Sequence, residues 1–148
     1  MECRNALKEC SGDKAKALKM LQEQGASKAQ KSVNRTVKQG LIVSYIHAGG
    51  RIGSLVELNT ETDFVARTNE FKDLAYNIAM QVAAMSPEYI SREECPAGAD
   101  IDFQAACLLL QPYIKDPSKT IQDLVTELIA KTGENIKIGR FTRFELGK

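Results

Sequence analysis

The chain is organised around the stretch Leu55-Val-Glu-Leu-Asn-Thr-Glu-Thr-Asp-Phe-Val-Ala-Arg67. Its first half predicts a β-strand, because Ile52, Val56 and Leu58 fall on one side of an alternating pattern. Its second half predicts the start of a helix, so Thr60–Val65 forms a corner between two rigid elements. A corner of this kind can hold a side chain at a fixed angle.

Phe64 and its neighbour Asp63 have two interpretations at this corner. In the first, the rigid flanks hold Phe64 outward as a group that a partner can bind. In the second, Phe64 covers the core, and Asp63 stabilises the turn or the N-terminus of the helix. Because aromatic side chains are mostly buried, the residues alone favour the second interpretation.

The composition is that of one ordinary globular domain with at most a small appendage. The chain has 148 residues, of which 43% are hydrophobic and 26% charged. A net charge of +1 argues against a strongly basic nucleic-acid binder. No apolar run approaches ~18 residues, and the N-terminus lacks the basic and apolar regions of a secretory signal. We therefore expect no membrane partner.

The cysteines predict reduced thiols in a cytosol-like compartment. They form no C-x-x-C pair, and His47 is the single histidine, so we expect no zinc site; they are Cys3, Cys10, Cys95 and Cys107. A disulfide between two chains stays open as an alternative.

Residues 1 to 25 predict two short helices. Asp13 is the expected N-cap of the second helix, and Gly25 is its expected stop. Helices of this length are not stable alone, so we expect packing on the rest of the molecule or on a helix before Met1. The next segment favours a solvated connector over a nucleic-acid contact, with the cations Lys28, Lys31, Arg35 and Lys38 and no acid.

The remainder predicts an α+β fold, in which helices pack on a small three-stranded antiparallel sheet. Strands 41–46 and 52–58 flank a hairpin turn with paired glycines. An amphipathic helix runs from Phe71 to before Pro87, and another follows the capping box Thr120–Asp123 and ends at Gly133. Residues 86–103 should be irregular and 105–110 a short helix. The last strand is expected to carry Ile136, Ile138, Phe144 and Leu146 on one face.

The familiar devices of catalysis are absent from the sequence. It contains no phosphate-binding glycine loop and no nucleophile elbow, so we expect neither bound nucleotide nor covalent catalysis by this chain. Glu57, Glu61 and Asp63, with His47 near them, could hold Mg²⁺ in a metal-dependent enzyme. Acids at a corner are usually solvated, so we do not favour this alternative.

The corner resembles the signature of a known family. Thr62-Asp-Phe-Val-Ala66, which follows Leu55-Val-Glu-Leu-Asn59, is similar to the motif of the elongation factor Ts family. Further stretches resemble that family in the same order along nearly the whole chain: Met1–Leu7, Gly12-Asp13, Gly40–His47, Gln111–Asp116, Gly133–Ile136 and Arg140–Phe144.

The resemblance implies a guanine-nucleotide exchange factor for the GTPase elongation factor Tu, with no chemical step, no cofactor and no metal of its own. It implies that Phe64 inserts into the GTPase domain near the Mg²⁺ and phosphate site and that Asp63 helps to dock the corner. The implied partner-binding residues are Thr62, Asp63, Phe64, Val65, Ala66, Met1 and Asn5. A generic interaction module that binds partners through its N-terminal helices is the remaining alternative.

The resemblance also implies an organisation. Residues 1–34 would be ubiquitin-associated-like helices with a basic linker, lacking the family's first helix, and residues 35–148 the core. Family members usually carry a longer insertion between about Pro96 and Cys107 than this chain does. Members with one compact core unit tend to be homodimers, so we expect self-association. The family also implies a location in the bacterial cytoplasm, or in an organelle matrix or stroma if the chain is of organellar origin.

Overall fold

The computed structural model describes all 148 residues and has an α+β architecture. Two helices, α1 (Glu2–Glu9) and α2 (Lys14–Ser32), precede the hairpin of β1 (Gln39–Ile46) and β2 (Ile52–Thr60). The short helix α3 (Asp63–Ala66) leads into the long helix α4 (Asn69–Met85). The other elements are α5 (Phe103–Ala106), β3 (Pro112–Tyr113), β4 (Asp116–Thr120), α6 (Ile121–Thr132) and β5 (Ile136–Glu145). None of the helices has both the length and the apolar character that crossing a membrane requires.

The main sheet has the strand order β1-β2-β5, with both pairs antiparallel, which confirms the predicted fold class and third strand. The hairpin turn depends on Gly49 and Gly50, whose φ angles of +92° and +68° are strained for other residues. One face of the sheet packs against α4, where Ser54 Oγ donates a 2.6 Å hydrogen bond to the carbonyl oxygen of Ala79. On the other face, apolar side chains are exposed, among them Ile42, Leu55 and Phe144.

The core lies between the inner face of the sheet, α4 and α6. It is a cluster of 17 buried residues, including Leu58 of β2, Ile78 of α4 and Val125 of α6. The apolar stripes predicted for the two helices supply most of it, as their periodicity required. The predicted capping box also forms, since the Thr120 hydroxyl accepts from the Asp123 amide and the Asp123 carboxylate accepts from the Thr120 amide.

The second helix is longer than the sequence pattern predicts. Asp13 caps it as expected, but it continues through Gly25 to Ser32, so the predicted stop at Gly25 is wrong and residues 26–32 are not a connector. The glycine allows close packing, because a Cβ at Gly25 would lie 3.1 Å from Cβ of Ala130 on α6, so that one of the two helices would have to move by a few tenths of an ångström. Contact with α6 thus extends the helix where local propensity alone indicates an end. The ubiquitin-associated-like character of residues 1–34 stays a prediction.

The last strand contains a β-bulge that changes which face its side chains occupy. Glu57 pairs with Arg140 but Leu58 pairs with Ile138, so Gly139 has no partner on β2. Ile136 and Ile138 are buried, whereas Phe144 and Leu146 are exposed. The prediction of one shared apolar face is therefore wrong, since one extra residue inverts the alternation beyond it.

Between α4 and β3 the chain is mostly irregular, as predicted. It contains a 3₁₀ turn at Arg92–Glu94, and the short helix predicted for 105–110 is divided into α5 and a 3₁₀ turn at Leu108–Leu110. Cys107 lies at the break in an extended conformation, where it bridges in parallel to Tyr89. The backbone hydrogen bonds of this bridge replace those that a continuous helix would make.

Gln81 joins α4 to this segment through a buried polar network. Its Nε2 donates to Gln111 Oε1 at 3.2 Å and to the carbonyl oxygen of Pro112 at 3.0 Å, and its Oε1 accepts from the Ile114 amide at 3.0 Å. Gln81 and Gln111 are both 0% exposed. Water therefore cannot replace these bonds without opening the core.

We expect Gln81→Leu to lower the free energy of unfolding by about 2–3 kcal/mol, because buried partner groups lose their hydrogen bonds. Urea denaturation measures the change. The matched control is Gln122→Leu on the exposed side of α6, which should change stability by about 0.5 kcal/mol or less. Equal effects of the two substitutions would contradict the importance of the network.

Candidate partner-binding site

The corner between β2 and α4 is a single helical turn with a cap at each end. Thr62 has an extended backbone and is the N-cap of α3, and its hydroxyl accepts from the Val65 amide at 3.5 Å. Thr68 is the N-cap of α4, and its hydroxyl accepts from the Phe71 amide at 3.3 Å. The path of the chain through the corner is therefore fixed by local hydrogen bonds.

Glu134, which is 72 residues away from Thr62 along the chain, clamps the same corner. One carboxylate oxygen accepts from the Thr60 hydroxyl at 3.1 Å and from the Thr62 amide at 2.9 Å. The other oxygen accepts from the Thr62 hydroxyl at 2.7 Å. Three donors to a single carboxylate make a strong, directional attachment. The loop after α6 thus sets the position of α3.

A second contact ties the corner to the segment after α2. Glu61 accepts from the Asn135 amide at 2.6 Å and pairs with Arg35 Nη1 at 3.3 Å. The side chain of Asn135 donates to the carbonyl oxygens of Val33 at 3.3 Å and Arg35 at 2.8 Å. Asn135 is 2% exposed, so these bonds lie away from solvent. These hydrogen bonds therefore fix the positions of the end of α2, the corner and the loop after α6 relative to one another.

Phe64 projects from this fixed turn into solvent, with 79% of its surface exposed. The interpretation of Phe64 as a core residue is wrong. The one-turn helix has room for one inward face, and Ala66, at 4% exposure, occupies it with the half-buried Val65. Because removing an aromatic ring from water is favourable, an aromatic fixed in this position is suited to binding an apolar pocket.

Asp63 begins α3 and pairs with Arg67 Nη2 at 3.0 Å. This ion pair connects consecutive turns of the backbone, as the stabilising role considered for Asp63 requires. Its carboxylate remains 46% exposed, so it is also accessible to a partner.

Met1 and Asn5 lie on a different element from the corner. Met1 is the N-cap of α1 and is 93% exposed, and Asn5 is exposed on the same helix. No hydrogen bond or ion pair joins α1 to α3, and the ion pair that fixes α1 connects Glu2 to Lys28 of α2. The structure therefore brings Thr62–Ala66 together on α3 and its N-cap, and it places Met1 and Asn5 on a different element, α1.

The acids of the metal-enzyme alternative do not converge. Glu57 binds Arg140 Nε at 2.9 Å, and hydrogen bonds from Asn59 and Arg140 lower its pKa. Glu61 and Asp63 have the separate partners described above, and no group of three or more His, Cys, Asp or Glu side chains could hold a metal ion. The carboxylates thus stabilise local structure and do not form a shared site.

Glu134 and Asn135 are the site residues that the sequence did not identify. They lie in Gly133–Ile136, a stretch that the family resemblance includes without a role for either residue. No local pattern connects them to Thr62, because their partners are more than 70 residues away along the chain.

The family of this chain is shown by its similarity to known proteins. A sequence model described as elongation factor TS matches residues 8–100. The chain belongs to the elongation factor Ts family. Elongation factor Ts of Thermotoga maritima is 48% identical over 176 residues, which cover 100% of this chain and 88% of that protein. Those of Caldanaerobacter subterraneus and Carboxydothermus hydrogenoformans are 45% and 44% identical over 178 residues, with 89% and 82% of their lengths covered. The resemblance inferred from the corner motif is confirmed.

The elongation factor Ts relatives are longer than this chain within the matched region. The match to the Thermotoga maritima protein extends over 176 residues against the 148 of this chain, so at least 28 of its positions have no counterpart here. The difference in length agrees with the shorter segment that the resemblance implies between Pro96 and Cys107. That the missing positions lie in this segment stays a prediction.

Proposed function

We propose that this chain binds elongation factor Tu and accelerates the exchange of its GDP for GTP, with Phe64 as the group inserted near the Mg²⁺ and phosphate site. Membership of the elongation factor Ts family supports the exchange function. The observation that carries the residue assignment is the 79% exposure of Phe64 on a turn that Glu134 and Asn135 hold through Thr62 and Glu61. Asp63 is the polar neighbour that docks the corner.

The proposed mechanism requires only differential binding. If the Phe64 ring fits a distorted GTPase better than the nucleotide-bound one, binding of this chain favours the state that holds Mg²⁺ and phosphate poorly. Such coupling is reciprocal, so this chain weakens GDP binding and incoming GTP weakens binding of this chain. No bond in this chain forms or breaks, which agrees with a corner whose acids are occupied in structural contacts.

The geometry of the corner makes this insertion favourable. Burying a phenylalanine side chain contributes about 1.5–3 kcal/mol. Little of that gain is lost to ordering, because Thr62 and Glu134 already fix the turn before binding. Thr62, Val65 and Ala66 therefore act by presenting Phe64 to the partner. Met1 and Asn5 provide a second contact with elongation factor Tu. They belong to the N-terminal helices, residues 1–34, and the corner belongs to the core, residues 35–148.

Release of fluorescent GDP from purified elongation factor Tu tests the exchange function. We expect the rate to rise with the concentration of this chain and to saturate when the complex is fully formed. A rate that stays at the spontaneous value at all concentrations would contradict the proposal. Chelation of free metal in this chain's buffer, followed by dialysis, should leave its activity unchanged.

We also propose that two copies associate through the exposed face of the main sheet. On this face Gly53 lies between Ile46 and Phe144 in the strand register, and Leu55 lies in the next row. Exposed apolar side chains cover much of it: Ile42, Ile46, Leu55, Phe144 and Leu146. An antiparallel sheet normally exposes polar side chains on its solvent face, so this pattern is typical of an interface. A second copy is the occupant because the same face on it is equally apolar and self-complementary contacts are the common form of dimer.

We expect Leu55→Glu to convert the dimer to a monomer, raising the dissociation constant at least tenfold, because a carboxylate would be buried without a partner. Sedimentation velocity over a range of concentrations measures the change. Leu18→Glu is the matched control, since Leu18 is an exposed leucine on α2. A wild-type chain that remains monomeric at high concentration would contradict this interface.

A further inference from the structure

Two cysteines in the segment between α4 and β3 lie in direct contact. The Sγ atoms of Cys95 and Cys107 are 3.3 Å apart, so one thiol can donate a hydrogen bond to the other. A disulfide has an S–S distance of about 2.05 Å, so the sulfurs need to approach by about 1.3 Å to form one. The partner-binding corner and the exposed sheet face use neither cysteine.

The backbone holds this pair together. Cys107 is fixed by the parallel bridge to Tyr89, with the Leu108 amide donating to the carbonyl oxygen of Tyr89 at 2.9 Å. Cys95 closes the 3₁₀ turn Arg92–Glu94, and its amide donates to the carbonyl oxygen of Arg92 at 3.1 Å. Because both attachments belong to the folded backbone, the thiols stay neighbours as long as this segment is folded.

The two thiols differ in their access to solvent. Cys95 is half-buried and can be reached from solvent, whereas Cys107 is fully buried. Burial and the neighbouring Cys95 raise the pKa of the Cys107 thiol to about 11, so it remains protonated at neutral pH. Arg92, whose guanidinium lies 4.5 Å from the centre of the Phe103 ring, opposes this increase, and Glu93 adds to it. A reagent in solution therefore meets Cys95 first.

We propose that Cys95 and Cys107 form a reversible redox site that closes into an intramolecular disulfide by exchange with a small-molecule disulfide. The Cys95 thiolate attacks one sulfur of the reagent, which forms a mixed disulfide and releases one small thiolate. Cys107 then attacks the Cys95 sulfur as its proton passes to solvent, which releases the second small thiolate. The two protein thiols lose two electrons and two protons, and the reagent is reduced to two thiols.

Closure would constrain the segment that contains α5, residues 96–106, at both of its ends. A cross-link that matches the native geometry stabilises a protein mainly by restricting its unfolded chain. The oxidised protein should therefore be more stable than the reduced one, and reduction should restore the original state.

The experiment treats the native chain with oxidised glutathione, alkylates the remaining thiols and digests with trypsin. Both cysteines lie on one tryptic peptide, Glu93–Lys115, whereas Cys3 and Cys10 lie on others. We expect this peptide to lose both alkylation sites and two hydrogen atoms without retaining glutathione, while the peptides of Cys3 and Cys10 retain glutathione or stay alkylated. The Tm should rise by about 5 °C or more on oxidation and return on reduction.

A double variant, Cys3→Ser with Cys10→Ser, should form the same disulfide and show the same rise in Tm. Cys107→Ala should instead leave glutathione attached to Cys95, because the second thiol is missing. Three results would overturn the proposal. The first is glutathione retained on Cys95 of the wild-type chain. The second is a Glu93–Lys115 peptide that remains fully alkylated although Cys3 has reacted with glutathione. The third is a fall in Tm on oxidation.

Discussion

Replacing Phe64 by alanine is expected to reduce the acceleration of GDP release from elongation factor Tu by about ten- to a hundredfold. This loss corresponds to about 1.4–2.8 kcal/mol of lost barrier reduction, which is close to the value of burying one phenylalanine. Stopped-flow release of fluorescent GDP at saturating concentrations of this chain measures it. Saturation separates the rate of release in the complex from the affinity of the complex.

The same variant should fold as well as the wild type. Because 79% of the Phe64 surface is exposed, its truncation should change the free energy of unfolding by about 0.5 kcal/mol or less. Tyr76→Ala is the matched control, since Tyr76 is an aromatic side chain exposed on α4, outside the corner. It should leave GDP release unchanged. If Phe64→Ala were as active as the wild type, Phe64 would not be the inserted group, although the exchange function would stand.

Replacing Glu134 by alanine is expected to have the second largest effect, on both stability and exchange. The substitution removes three hydrogen bonds to Thr60 and Thr62, of which the Thr60 side chain is fully buried. We expect the free energy of unfolding to fall by about 2 kcal/mol, because hydrogen bonds to a charged group are strong and their donors would be left unpaired. Chemical denaturation measures this change.

The effect on exchange should arise without any change to Phe64 itself. Once the clamp is removed, the turn samples several positions, so ordering it lowers the gain from inserting the ring. We expect GDP release to slow about tenfold under conditions in which the Glu134→Ala variant remains folded. The rate with Glu134→Gln should lie between those of Glu134→Ala and the wild type.

Glu127→Ala provides the comparison for this variant. Glu127 forms an exposed pair with Lys119 at 2.8 Å, so its removal should cost at most about 1 kcal/mol and leave exchange unchanged. If Glu134→Ala lost stability but exchanged nucleotide at the wild-type rate, the clamp would be structural and would not present Phe64.

The sequence alone determined the parts of this protein that depend on neighbouring residues. Periodicity predicted α4, α6 and the three strands, and the caps at Asp13 and Thr120 formed where local hydrogen bonding allows them. The corner motif identified the family, because a run of residues in fixed order carries that information without any structure. The caps need contacts over only a few positions, and the periodic patterns of the helices and strands can be recognised in the local sequence, although the strands pair with distant residues.

The tertiary structure alone decided features that depend on distant contacts. Packing against α6 carried α2 through Gly25, and a single unpaired residue, Gly139, reversed the faces of β5. Phe64 is exposed because Ala66 takes the one inward position, and Glu134 reaches the corner across 72 residues. Burial and long-range hydrogen bonds depend on which surfaces meet after folding, so residue propensities, which favoured a buried Phe64, could not supply them.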